Sequence, residues 1–330
     1  MTITKPKYYD SFRCLAGNCP DSCCHQWAVV VDDVSQARYQ ALEGPLGQDL
    51  RSAMAEDDGE IILSLRPDGR CPMWRDDGLC RIQAELGEDA LCETCRLFPR
   101  LRHDYGSFVE QGLELSCPEA ARLILDGNAE TITQTVPGGE EPDYDLQTMS
   151  ILRDSRKQAC ALLADTTYAV EDALAILLLY GYAVQEQLDG GANAELHPQQ
   201  DLAAARSLPL SPTGDILDFC KTLNILTPRW LDRLSNPACG AWSDKYRALS
   251  RYFIDRYWLQ AVSDGDLMSR VKLILFSCLV IRELGGNLCQ TAQLYSKEIE
   301  NDADNIDTIL DAAYTHSALS DANLLYRLLN

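Results

Sequence analysis

Phe12-Arg13-Cys14-Leu15-Ala16-Gly17-Asn18-Cys19-Pro20-Asp21-Ser22-Cys23-Cys24-His25-Gln26-Trp27 places four thiols within eleven residues. Five more cysteines follow in short groups: Cys71 and Cys80, then Cys92 and Cys95, then Cys117. Grouped soft sulfurs of this kind suit a bound metal, because tetrahedral zinc and iron–sulfur clusters both need thiolates converging from separate loops. Adjacent Cys23 and Cys24 cannot both aim at one centre from regular structure, so this loop is irregular or serves two centres. The other five cysteines, Cys160, Cys220, Cys239, Cys278 and Cys289, fall singly in apolar helical pattern and read as small buried hydrophobes.

A disulfide framework is the alternative. It needs an oxidising compartment and usually a short chain with little core. Met1–Asp10 contains no apolar signal region, and the apolar runs Ala173–Val184 and Leu273–Ile281 fall short of the roughly 20 residues that span a bilayer. The expectation is a cytoplasmic protein with reduced thiols and no transmembrane segment. At 330 residues and 46% hydrophobic, the chain can bury a substantial core in two domains.

Working outward from the cysteines, residues 1–135 are broken by turns at Gly17-Asn18, Pro67-Asp68-Gly69 and Asp76-Asp77-Gly78. Trp27–Val31 and Ile61–Leu65 have strand character, and Ser35–Leu42, Gln48–Ala55, Ile82–Leu86 and Pro118–Leu125 have helical pattern. Together they predict an irregular, Cys-rich α+β metal-binding domain. Thr135–Asp143, rich in Pro, Gly and acid, reads as a linker. Beyond it, residues 144–330 predict an all-α domain with helices over Leu146–Ala164, Val170–Leu188, Pro212–Leu226, Ser243–Val262, Asp266–Leu284, Thr291–Glu300 and Ile306–Tyr314. Gly-Gly pairs at 190–191 and 285–286 mark helix ends. The whole is mainly α.

The net charge of −21 divides almost evenly on either side of residue 135, which argues against nucleic acid as a partner, since phosphate binding rests on clustered Lys and Arg. Cys92-Glu-Thr-Cys95-Arg96-Leu-Phe-Pro-Arg100-Leu-Arg102-His103 sets arginines directly after a cysteine pair. Arg96 and Arg100 are therefore candidates for binding a cofactor: a guanidinium offsets the charge of a thiolate-ligated centre or grips the carboxylate of an amino-acid cofactor. The alternative is that they neutralise an acidic surface. Cys19 and Cys23 supply two positions of the Cys-x3-Cys-x2-Cys pattern of radical S-adenosylmethionine enzymes, but Gln26 occupies the third. Dinucleotide, phosphate-loop, Gly-x-Ser-x-Gly and His-Glu-x-x-His motifs are absent. His25 and His103 lie beside cysteines, and Glu110, Glu114 and Glu119 are the carboxylates nearest Cys117. No catalytic residue is assigned.

The series Phe-x-Cys-x4-Cys-x3-Cys-Cys-x2-Trp, Gly69-Arg-Cys71-Pro, Asp77-Gly-Leu-Cys80-x-Ile, Cys92-x2-Cys95-Arg-x-Phe-Pro-Arg100 and Ser116-Cys117-Pro-Glu-Ala-Ala resembles the flagellin lysine-N-methylase family. It resembles more loosely small bacterial proteins with a zinc- or iron-chelating cysteine cluster. Arg251-Tyr-Phe, Ser277–Leu284 and Tyr295-Ser-Lys-Glu-Ile-Glu300 extend the resemblance into the helical half. It implies methyl transfer from S-adenosylmethionine to lysines of flagellin in the bacterial cytosol. It also implies a four-iron four-sulfur cluster on Cys14, Cys19, Cys23, Cys24, Cys71, Cys80, Cys92, Cys95 and Cys117, with zinc the alternative, and peripheral membrane association. An oligomer is left open. The competing function is a non-enzymatic chelating or redox-sensing module whose helical half binds a partner.

Overall fold

Apolar residues at three- and four-residue spacing set most of the architecture. The structure, a computed structural model, describes residues 1–25, 27, 29–57, 59–127 and 130–330. Among the described residues fifteen α-helices accompany seven strands, so the chain is mainly α. From Leu146 onward every regular element is helical. Leu146–Ala164 and Val170–Leu188 form where the spacing predicts, and Asp145 starts the first by accepting a hydrogen bond from the Thr148 N–H at 2.7 Å. Gly190 (φ +87°) and Gly285 (φ +63°) adopt the left-handed backbone just past two helix ends. Leu267–Leu284 is buried on nearly all sides, its predominantly apolar residues packed in the core and its cations Arg270 and Lys272 buried with them. Val170–Leu188, Lys245–Tyr257 and Ala303–Thr315 surround it.

Three expectations need correction. Pro212–Leu226 is not one helix: Asp215 caps a short helix, Ile216–Cys220, and Thr227 caps a separate one, Pro228–Ser235, by accepting from the Trp230 N–H. Lys245–Tyr257 gives way to a 3-10 segment, Trp258–Val262. The helix placed at Thr291–Glu300 begins at Leu288, and its last turn, Ser296–Glu300, is a π-helix, a form that recurs at functional sites. Helices at Pro198–Ser207 and Asp321–Leu329 are additional.

Seven strands, β1 (Thr2–Pro6), β2 (Val29–Val30), β3 (Met54–Asp57), β4 (Glu60–Leu63), β5 (Arg100–Asp104), β6 (Phe108–Leu113) and β7 (Thr131–Thr135), form two sheets. The larger has the order β5-β6-β1-β7, with β1 parallel to β6 and antiparallel to β7. The smaller has the order β2-β4-β3. It contains both predicted strands, shortened; Ala28, within the first, lies outside the described residues, as does Gln26. The segment after β7 is tied back by backbone bonds from Val136 to Met1 (3.0 Å) and from Glu140 to Gly106 (3.2 Å).

Apolar packing divides into two clusters. Val29, Tyr39, Leu50, Leu63, Met73 and Ile82 form a small core that includes Cys71 and Cys92. Phe12, Phe108, Leu113, Leu115, Ala120, Ala121 and Leu123–Leu125 instead join the large core of the helical half. The cysteine segments lie where the two meet.

Candidate metal centre

Short turns bring the cysteine groups together. Cys14 follows Phe12, whose buried ring lies under the Arg100 guanidinium at 5.2 Å. Asp21 accepts from the Ser22 N–H, and the Ser22 hydroxyl accepts from the Cys24 N–H at 3.1 Å, which folds the chain back across Cys23-Cys24. The Cys71 N–H then donates to the Cys24 carbonyl at 2.8 Å, joining the first group to the second. Gly78 (φ +80°) turns the chain so that Cys80 bridges to Trp74. Cys80, Cys92 and Cys117 each precede the first turn of a helix.

Cys14, Cys19, Cys23, Cys24, Cys80, Cys95 and Cys117 line one cavity of about 440 Å³. Cys71 and Cys92 are buried behind it in the small core. The thiols perturb one another across segments. A hydrogen bond with the Cys24 thiol, then burial, pushes the Cys23 thiol up. Cys95 is pushed up by its bond to Cys92, by burial and by the charges of Cys92, Cys24 and Cys23, while Cys92, accepting from the Cys95 thiol, is lowered. Burial raises Cys117 to about 12 and Cys71 to about 11, with Cys19 and Cys23 adding to the first and Cys80 and Cys92 to the second. Backbone N–H groups oppose burial: those of Ala120 and Glu119 favour the Cys117 thiolate, and those of Gln83 and Ile82 that of Cys80.

Cations face these sulfurs. Arg13, Arg96, Arg100 and Lys297 line the cavity. Lys297 is 9% exposed and donates to both Asp21 oxygens, at 2.9 and 3.0 Å, and to the Ser22 carbonyl. Gln293 donates to Asp21 (2.9 Å) and to the Ser116 carbonyl (2.7 Å), tying the first cysteine loop to the segment before Cys117. Burial works against the Asp21 charge, yet Lys297 and these bonds hold its carboxyl below the usual range. Lys297 falls in the Tyr295–Glu300 stretch that carries the resemblance, but nothing in the sequence marked Asp21 or Gln293, or the pairing of Lys297 with Asp21. A lysine and a glutamine on an amphipathic helix ordinarily face water, and only the tertiary fold buries them.

Most of the other candidates lie elsewhere. The His25 ring packs edge-on against Trp74 at 5.8 Å. His103 lines a different cavity, and Arg102 pairs with Asp104. Glu119 lines the cysteine cavity but is held by Arg122, Glu110 is held by Arg156, and burial raises Glu114. Of the five isolated cysteines, Cys220 and Cys278 are buried, Cys160 and Cys289 are half-buried, and Cys239 is exposed in an irregular stretch.

Among the described residues, no three His, Cys, Asp or Glu side chains stand close enough together to hold a single metal ion. A cluster several atoms across needs its ligands farther apart, and seven soft donors around one cavity, faced by four cations, fit that chemistry.

The fold and this cavity define a mainly α protein with a multi-thiol site roofed by its helical half. Over 133 residues the chain is 35% identical to the flagellar biosynthetic protein FliU of Salmonella muenchen, a match covering 78% of that protein and 38% of this chain. It is likewise 35% identical over 133 residues to the lysine-N-methylases of Salmonella typhimurium and Salmonella choleraesuis, of which the match spans about a third, 33% of each. The chain belongs to the flagellin lysine-N-methylase family. No family model and no solved structure matches it. No helix among the described residues is long and apolar enough to cross a membrane.

Proposed function

We propose that the chain methylates lysine side chains of flagellin, using S-adenosylmethionine, and that its cysteine cavity holds a four-iron four-sulfur cluster. The observation that carries this reading is the convergence of seven thiols from four segments on one cavity lined by Arg96, Arg100 and Lys297. Cys19, Cys23, Cys95 and Cys117 would hold the cluster, with Cys14, Cys24 and Cys80 beside them and Cys71 and Cys92 supporting from the small core. Such a cluster supplies electron-transfer chemistry when bound.

The remaining work falls to this chain's residues. Arg96 and Arg100 offer planar forks for the carboxylate of the methyl donor. Phe12, Trp27 and Phe98 line the cavity, the last two 5.4 Å apart between ring centroids, and give it an apolar wall. Transfer requires a neutral amine. In the net reaction the lysine ammonium gives up a proton, a nitrogen–carbon bond forms, the donor's sulfur–methyl bond breaks, and S-adenosylhomocysteine leaves. The enzyme would act in the bacterial cytosol before flagellin export.

Mass spectrometry of flagellin coexpressed with this chain under anaerobic conditions tests the reading. Methylated lysines are expected with the parent sequence and not with Cys19→Ala or Cys95→Ala. Unmodified flagellin beside iron-loaded protein would leave only the chelating or sensing module.

A further inference from the structure

A second cavity, of about 500 Å³, opens between the larger sheet and the helices Leu146–Ala164 and Lys245–Tyr257. Its volume lies in the range of roughly 300–1,000 Å³ typical of small-molecule sites. Six cations line it, in a protein whose net charge is −21. Four of them are matched by carboxylates: Lys5 pairs with Asp10, Arg156 with Glu110, Arg251 with Asp255 and Arg256 with Glu300. Arg153 and Lys157 have no acidic partner among the described residues. They stand one turn apart on the same helix, exposed at the cavity, with the Arg153 guanidinium 4.7 Å from the Phe108 ring. Deeper in, Arg256 keeps its buried Nη1 without a hydrogen-bond partner. Leu101, Ile124, Ala161 and Ala164 supply an apolar wall.

Two unmatched cations at the mouth of an otherwise charge-balanced cavity call for two negative charges. A buried guanidinium nitrogen without an acceptor calls for an oxygen, and the apolar wall calls for a hydrophobic body. We infer that this cavity binds a phosphate monoester carrying an apolar or aromatic group, such as a nucleoside monophosphate. The methyl donor is a poorer match, since its sulfonium and ammonium outweigh its one carboxylate, and the site therefore stands apart from the cysteine cavity.

Calorimetric titration of the full chain with adenosine 5′-monophosphate, and separately with adenosine, tests the inference. The monophosphate is expected to bind and adenosine to bind far more weakly. Arg153→Ala with Lys157→Ala should weaken the monophosphate on the order of tenfold or more, since two charge-assisted contacts are lost. Both positions are exposed, so the doubly substituted protein should keep its unliganded melting temperature, and Arg206→Ala should bind as the parent does. Absence of monophosphate binding, equal binding of adenosine, or affinity indifferent to Arg153 and Lys157 would each overturn the inference.

Discussion

Lys297 and Asp21, 276 residues apart in the chain, form a near-buried ion pair with both carboxylate oxygens engaged, and so the last turn of a helix in the C-terminal half fixes the first cysteine loop. The pair also sets a cation beside Cys23, whose thiolate it favours. Lys297→Ala would leave the Asp21 charge in a half-closed site. The expected cost is about 2 kcal/mol, between the ranges for surface and buried pairs. Amide exchange over residues 19–25 should accelerate selectively; unchanged protection there would show that the loop is held by other means.

Bound metal contributes folding free energy directly, whereas a lone buried cysteine contributes packing. Cys→Ala at Cys19, Cys23, Cys95 or Cys117 should therefore lower the melting temperature of anaerobically prepared protein more than the same change at Cys160 or Cys278. Equal losses in the two sets would remove the metal from the account of stability.

Asp32 joins two segments. Its carboxylate accepts from the Ser35 N–H at 2.9 Å, starting the helix Asp33–Ala41, and from the Glu93 N–H at 2.8 Å, just after Cys92. The Glu93 bond, foremost, lowers its pKa to about 2. The carboxyl is thus depressed in the folded state relative to about 3.9 in the unfolded chain. Its contribution is complete above that unfolded value and is lost as pH falls toward about 2. Asp32→Ala should cost roughly 1 kcal/mol at neutral pH, as for other N-caps. Asp32→Asn should retain most of the capping and flatten this acid limb, which melting curves between neutral and strongly acid pH would reveal.

Arg100 lies over Phe12 and lines the cysteine cavity, whereas Arg206 pairs with Asp172 on the surface. Arg100→Ala is expected to weaken S-adenosylmethionine binding or lower iron content, with Arg206→Ala leaving both unchanged. Equilibrium dialysis with labelled donor and metal analysis of the same samples distinguish the two effects. Indifference of both readouts to Arg100 would return it to the role of surface neutraliser.

The long helices were legible because each carries an apolar stripe, which in Leu267–Leu284 widens to the unbroken runs Leu273–Phe276 and Cys278–Ile281 either side of Ser277. The larger sheet was not. Thr2–Pro6 and Thr131–Thr135 are polar and only partly buried, and Arg100–Asp104 carries charge at most positions, so none shows the alternation of a half-buried strand. Spacing grouped the cysteines by segment, but the order in which segments meet depends on turns at Gly69 and Gly78 and on Asp21, Gln293 and Lys297. Of the second cavity the sequence marked only scattered members, His103, Glu110 and Arg251, and did not bring them together, since Arg153, Arg156 and Lys157 read in sequence as the wet face of a helix.

Iron and acid-labile sulfide, measured on anaerobically purified protein together with its absorption spectrum, test most directly whether the converging thiols hold a cluster. Brown protein with iron and sulfide near stoichiometric amounts, both lost in Cys19→Ala or Cys95→Ala, is the predicted result. Colourless protein carrying only zinc under the same conditions would contradict it.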